Sequence, residues 1–257
     1  MIIKEITDED FISAFLYFTR HARPSVNFIL EELIEDNSRV KSGEKRAIYL
    51  QILENYILIT ESVLMLLSSF HQKYLEPNRS LVSIYTKTFI REGKGKEDTK
   101  EMLEYLTAHS NKEILAFLGL KSHRELIELS SPNKKKEAEK IWGSIDAAFK
   151  QGDIELNNLR ESLIIILHNR IFNKDKIEFP FYKVLNKLKH GYQIIPDPSS
   201  DIIHILIDVV EEKKDSTKFE VINIPYSVAN VKWFSQQSRI MQKTVEHLLM
   251  LYSFNLN

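Results

Sequence analysis

Only 7 glycines and 7 prolines interrupt a chain of 257 residues. That scarcity limits the possible folds more than any motif does. Tight turns are built mostly from glycine, proline, asparagine and aspartate, and long stretches rich in Leu, Ile, Glu and Lys without breakers run as helices. From Glu44 to Tyr74 there is neither glycine nor proline. This segment is amphipathic at first and then nearly apolar all round between Tyr56 and Leu67, the pattern of a helix central to a bundle. Pro77 ends it.

Other segments read the same way. In "TDEDFISAFLYFTR", Thr7 or Asp8 can cap a helix whose acidic first turn suits the helix dipole. After Pro24, Ser25 can cap "VNFILEELIEDNSRV". "SLVSIYTKTFI" predicts another helix, and "REGKGKED" a solvated loop. Three short helices are expected between residues 97 and 130, starting near Asp98, Asn111 and Ser122. Beyond Pro132, "NKKKEAEKIWGSIDAAFKQ" reads as a charged helix. Gly152-Asp153 then leads into "IELNNLRESLIIILHNRIF", and Pro180 precedes the helix "FYKVLNKLKH".

The period then changes. "YQIIPD", "DIIHILIDVVEE" and "KFEVINIPY" are rich in Ile and Val with partial alternation, and "EEKKDSTK" is turn-like. A β-hairpin is expected here, with room for a third short strand. "SVANVKWFSQQSRIMQKTVEHLLMLYSF" returns to helical spacing. The fold class is therefore mainly α: a helical bundle with a small β-hairpin inserted before the C-terminal helix. With no low-complexity linker, one domain is expected over 1–257: a helical body over 1–190, a hairpin over 192–224 and a closing helix over 226–254. The likeness of "ESVLMLL" to "ESLIIIL" stands alone and is read as chance.

Composition excludes several functions. The net charge is -1, so no global field draws in polyanions, and any such site is a local patch. Without cysteine, disulfides, thiolate metal sites and cysteine nucleophiles are ruled out. The start lacks the pattern of a signal peptide, and the apolar run "YILITESVLMLL" is short and broken by Glu61. A soluble cytoplasmic protein with no membrane partner is expected. No phosphate-cradling glycine loop or nucleophile elbow occurs. The 8 histidines form no HxH, HxxxH or HExxH spacing, so neither a metal nor another cofactor is expected.

The basic end of the 181–190 segment is the leading candidate site. Lys183, Lys187 and His190 follow i, i+4, i+7 spacing and share a helix face, which Asn186 adjoins and Lys189 extends. Two readings stay open. Basic residues at a helix C-terminus complement its dipole, with Gly191 as the left-handed cap. Alternatively, the lysines bind phosphate beside an imidazole that titrates near neutral pH, as needed to move a proton at a ribose hydroxyl.

"LNKLKHGYQI", followed by strands and a last helix, resembles divergent HEPN-like proteins. Members of that family are helical bundles, often dimeric, found in toxins, phage defence and RNA processing. Active ones carry an arginine, often a polar residue next, and a histidine four to six residues on, and they cut RNA without a metal. The resemblance implies RNA as partner, a homodimer, His190 as general acid/base, Asn186 orienting it, and Lys183, Lys187 and Lys189 as phosphate contacts. The family's arginine is absent, with Leu185 in its place, and lysine cannot make arginine's bidentate phosphate contact.

Three lesser constellations follow. Glu161 and His168 lie on one helix face near Arg160, and Arg239 precedes His247 at the same spacing as Arg160 precedes His168. Glu31, Glu32, Glu35 and Asp36, with Glu54 and Glu61, are the acidic set of an alternative reading, a Mg-dependent all-helical nucleotide pyrophosphohydrolase. A non-catalytic helical interaction module is the other alternative. "KKKEAEK" over 134–140 reads as a solvated helix start.

Overall fold

A computed structural model of the chain describes residues 5–21, 23–35, 41–90, 95–171, 194–196, 202–213, 216–225 and 227–253. The fold is mainly α, with a small antiparallel sheet ahead of the last helix. The helices are α1 Asp8–His21, α2 Arg23–Glu35, α3 Ser42–Leu75, α4 Leu81–Ile90, α5 Gly95–Ala108, α6 Asn111–Phe117, α7 His123–Leu129, α8 Pro132–Trp142 and α9 Ile145–Ile171. The strands β1 Ile194–Pro196, β2 Ile202–Lys213 and β3 Ser216–Pro225 follow, and then α10 Val228–Ser253.

The chain gathers into two compact units. One comprises Met1–Thr19, Ser62–His168 and Met241–Asn257. Its core takes Val63, Leu66, Leu67 and Phe70 from α3, Leu81 and Ile84 from α4, Leu163 and Leu167 from α9, and Val245, Leu248 and Leu249 from α10. Fully burying each such side chain contributes about 1.5–3 kcal/mol against leaving it in water. Two seven-residue helices of this unit carry complete capping boxes. Ser110 and Glu113 bond reciprocally at the start of α6, and Ser122 and Glu125 do so at the start of α7. The cap of α6 is therefore Ser110 rather than Asn111, and Asp98 lies inside α5. Thr7 caps α1 as its position suggested, its hydroxyl accepting from the Asp10 N–H at 3.1 Å.

The other unit comprises Arg20–Glu61 and Asn169–Ile240. Ile34 of α2, Tyr49, Ile52, Leu53 and Ile57 of α3, and Val231 and Phe234 of α10 are buried in it. Tyr56 packs its ring against Trp233 and Phe234, at centroid distances of 5.5 and 5.1 Å. Burial pushes the Tyr56 phenol well above its ordinary range. Asn27 is fully buried among these apolar groups and is fully used. Its amide donates to the Ile52 carbonyl at 3.2 Å and to Ser238 Oγ at 3.0 Å, and its oxygen accepts from Asn55 at 2.9 Å.

The sheet has the order β1-β2-β3 with antiparallel pairing throughout. Residues β-branched and alternating in this stretch favour the pleated form. His204 faces Asn223 in register, with Nδ1 2.7 Å from the amide oxygen. Irregularities in β2 between Leu206 and Asp208, and between Val209 and Glu211, insert extra residues that bend the strand. Pro196 and Pro225 end β1 and β3, the two outer strands, where proline is tolerated.

Another expectation changes as well. The break placed at Gly152 falls instead at Gly143, which takes a left-handed φ of 83° and caps α8. Ser144 then opens α9 by accepting the Ala147 N–H at 3.1 Å, and the helix runs unbroken through Gly152. Among the described residues, α3 is long and apolar enough by length and composition to cross a membrane, and 67% of its most apolar 18-residue stretch is buried within the protein.

Candidate functional site

The leading site of the sequence reading, Lys183, Asn186, Lys187, Lys189 and His190, lies outside the described residues. The lesser constellations fall within them, Asp36 excepted. Arg160 donates from Nε to the Leu106 carbonyl at 2.9 Å and from a terminal nitrogen to Thr107 at 3.1 Å, satisfying the carbonyl end of α5. Glu161 and His168 are exposed. The Arg239 guanidinium stacks over the Phe28 ring at 3.9 Å. Glu35 is held by Lys232 at 2.6 Å, and that carboxylate's hydrogen bond and charge raise the lysine's pKa. Glu54 accepts from Gln51 on its own helix. Among the described residues, no grouping of acidic or imidazole side chains fit to hold an ion forms around Glu31, Glu32 or Glu35. Helix α8, carrying Lys134 to Lys136, buries none of its residues, as its charge pattern foretold.

A different set converges. His123, Glu155 and His247 come from α7, α9 and α10, all within the first unit, and one donor atom of each lies within 4.8 Å of the others. His123 Nε2 is 3.3 Å from Glu155 Oε2, and the two imidazole rings lie 5.3 Å apart, tilted by 57°.

Local sequence explains each placement. The Ser122–Glu125 capping box fixes the start of α7, so His123 occupies its first helical position. Gly152 lies directly below. A Cβ there would sit 2.6 Å from His123 Cβ, so only a glycine lets α9 approach this closely. Glu155 is three residues further along α9, nearly one turn on. His247 is followed by the fully buried Leu248 and Leu249, which fix that part of α10 in the core.

The site is half-buried, with its imidazole nitrogens enclosed. The His123 side chain is only 16% exposed. Both of its ring nitrogens, and Nε2 of His247, are buried without a hydrogen-bond partner. The approach to Glu155 is thus a close contact without hydrogen-bond alignment. Burial holds the His123 pKa below the ordinary imidazole value against the opposing pull of Glu155 and Asp153. Burial, and then the neighbouring His123, lower that of His247. Both rings therefore favour the neutral form, the form that binds a metal. The helix dipole acts in the same sense at His123, since a cation is disfavoured at a helix N-terminus.

Nothing in the spacing of these residues along the chain assembles this set. Histidine spacing tests look for ligands on one helix, and these three donors come from three. The available signals were indirect: a capped histidine opening a seven-residue helix, and a glycine kept within a helical run. Compared with known proteins, the chain matches no family model, no curated protein and no solved structure.

Proposed function

We propose that the chain is an RNA-directed, HEPN-like protein that holds or cuts RNA at the basic end of the 181–190 segment, as a cytoplasmic homodimer. One observation supports this reading: a helical body is followed by a small antiparallel sheet and then a single long closing helix, the succession that accompanies "LNKLKHG" in the resemblance. In this reading Lys183, Lys187 and Lys189 carry phosphate, His190 moves the proton and Asn186 orients it. Leu185 in place of the family's arginine makes phosphate binding stronger ground than cleavage. The test incubates the protein and a His190→Ala variant with mixed labelled RNAs in chelator, and measures binding in parallel. Cleavage or binding that the variant loses is the expected result. Neither activity in the wild type would overturn the reading.

A second reading, a non-catalytic interaction module, is favoured by apolar side chains left in water on two adjoining helices. Leu129 ends α7 at 71% exposure, and Ile141 and Trp142 end α8 at 64% and 45%. Self-association lost on Trp142→Glu, measured by sedimentation, would support it.

A further inference from the structure

We propose that His123, Glu155 and His247 form a binding site for one divalent transition ion of the zinc type, within the unit that contains Ser62–His168 and the end of α10. The inference stands apart from the RNA reading, whose test is run in chelator.

Three observations carry it. The first is convergence: three donors from three helices lie within 4.8 Å of one another. Zinc takes imidazole nitrogen and carboxylate oxygen at about 2.0–2.2 Å, which places neighbouring donors about 3.3 Å apart in a tetrahedron. The His123–Glu155 pair already stands at 3.3 Å. The other donor separations lie within 4.8 Å, so a bound ion has to draw these side chains together. The second is the unmet need of the imidazoles. Buried polar atoms in folded proteins are almost always partnered, and an orphan calls for a specific explanation. Here three ring nitrogens of two histidines are orphaned at one spot. A bound cation satisfies one nitrogen of each ring and compensates the Glu155 charge. The third is accommodation. Gly152 removes the side chain that would otherwise collide with His123, in the interior of a helix where glycine costs about 1 kcal/mol relative to alanine.

The donor set selects the ion. Two imidazoles and one carboxylate suit zinc and its first-row neighbours, whereas calcium and magnesium prefer all-oxygen shells. The chain has no thiolate to recruit copper(I). Three protein donors leave one position for water. An ion here links α7, α9 and α10, so binding free energy adds to the stability of that unit.

The test uses tag-free full-length protein stripped with chelator and titrated with Zn²⁺ alone. One equivalent should bind and raise the unfolding temperature. His123→Gln and His247→Gln should each weaken binding by at least about a hundredfold, because even changes to groups behind the ligands cost about 10–100-fold. His204→Gln should leave it unchanged. Binding that persists when His123 and His247 are both replaced overturns the proposal, as does the absence of stoichiometric binding by the wild type. Should the glutamine variants fail to fold, zinc X-ray absorption on the wild type decides. Two imidazoles in the shell support the site, and none or one overturns it.

Discussion

At the scale of single residues, the most consequential side chains are polar groups enclosed by apolar ones. Asn27 uses its amide in three hydrogen bonds while fully buried. Asn27→Ala removes all three and strands the Asn55 amide, itself buried. Leaving such groups unpaired costs about 1–3 kcal/mol each, so a loss of about 2–4 kcal/mol is expected, read from urea unfolding. Asn27→Asp should be no milder, because it buries a charge.

His123 and His247 make a prediction of the opposite chemical kind. Both have imidazole pKa values lowered in the folded chain, chiefly by burial. The unfolded chain therefore binds protons more readily below the ordinary histidine value of about 6.5. Stability is fully present above that value and falls as the pH drops through the lower folded values. Metal-free protein should show a falling unfolding temperature from about pH 7 to 5, with a shallower slope in His247→Gln. A rise over the same range would mean that Glu155 and Asp153, the charges facing His123, outweigh desolvation.

At the scale of elements, the path of α9 decides how the three helices meet. By helix propensity Gly152 reads as a break, because glycine is a poor helix former, yet the true stop lies at Gly143, where a left-handed φ is required. Gly152 stays helical and instead serves contact with His123. Gly152→Ala should gain about 1 kcal/mol of helix propensity and lose more to overpacking, which costs about 1–3 kcal/mol. The colliding atom is a Cβ near the backbone, so it cannot swing away cheaply. Net destabilisation of about 1 kcal/mol and weaker Zn²⁺ binding are expected, read from thermal unfolding and titration.

At the scale of the whole molecule, neither compact unit is a continuous piece of chain. One uses three separate segments and the other two. Helix α10 contributes Val231 and Phe234 to one core and Val245, Leu248 and Leu249 to the other. Deleting residues 228–257 should therefore unfold both units, with loss of the cooperative thermal transition in circular dichroism. A fragment that melts cooperatively without α10 would contradict this account of the core.

What could be read directly from the sequence was local. The scarcity of breakers gave the helical body, Ser122 gave the start of α7, and the change from helical spacing to Ile/Val alternation placed the strands before the last helix. These features depend on neighbours a few residues apart, whose propensities and side-chain periods act without help from the rest of the chain. The choice between Gly143 and Gly152 as the helix stop was not local, because it turned on whether another helix presses against the glycine. Nor was the meeting of His123, Glu155 and His247. Each looks like an ordinary helical residue alone, and no spacing links them. Only the meeting of α7, α9 and α10 in the folded chain brings their donor atoms together, and only the burial of the imidazole nitrogens there leaves them in need of a partner.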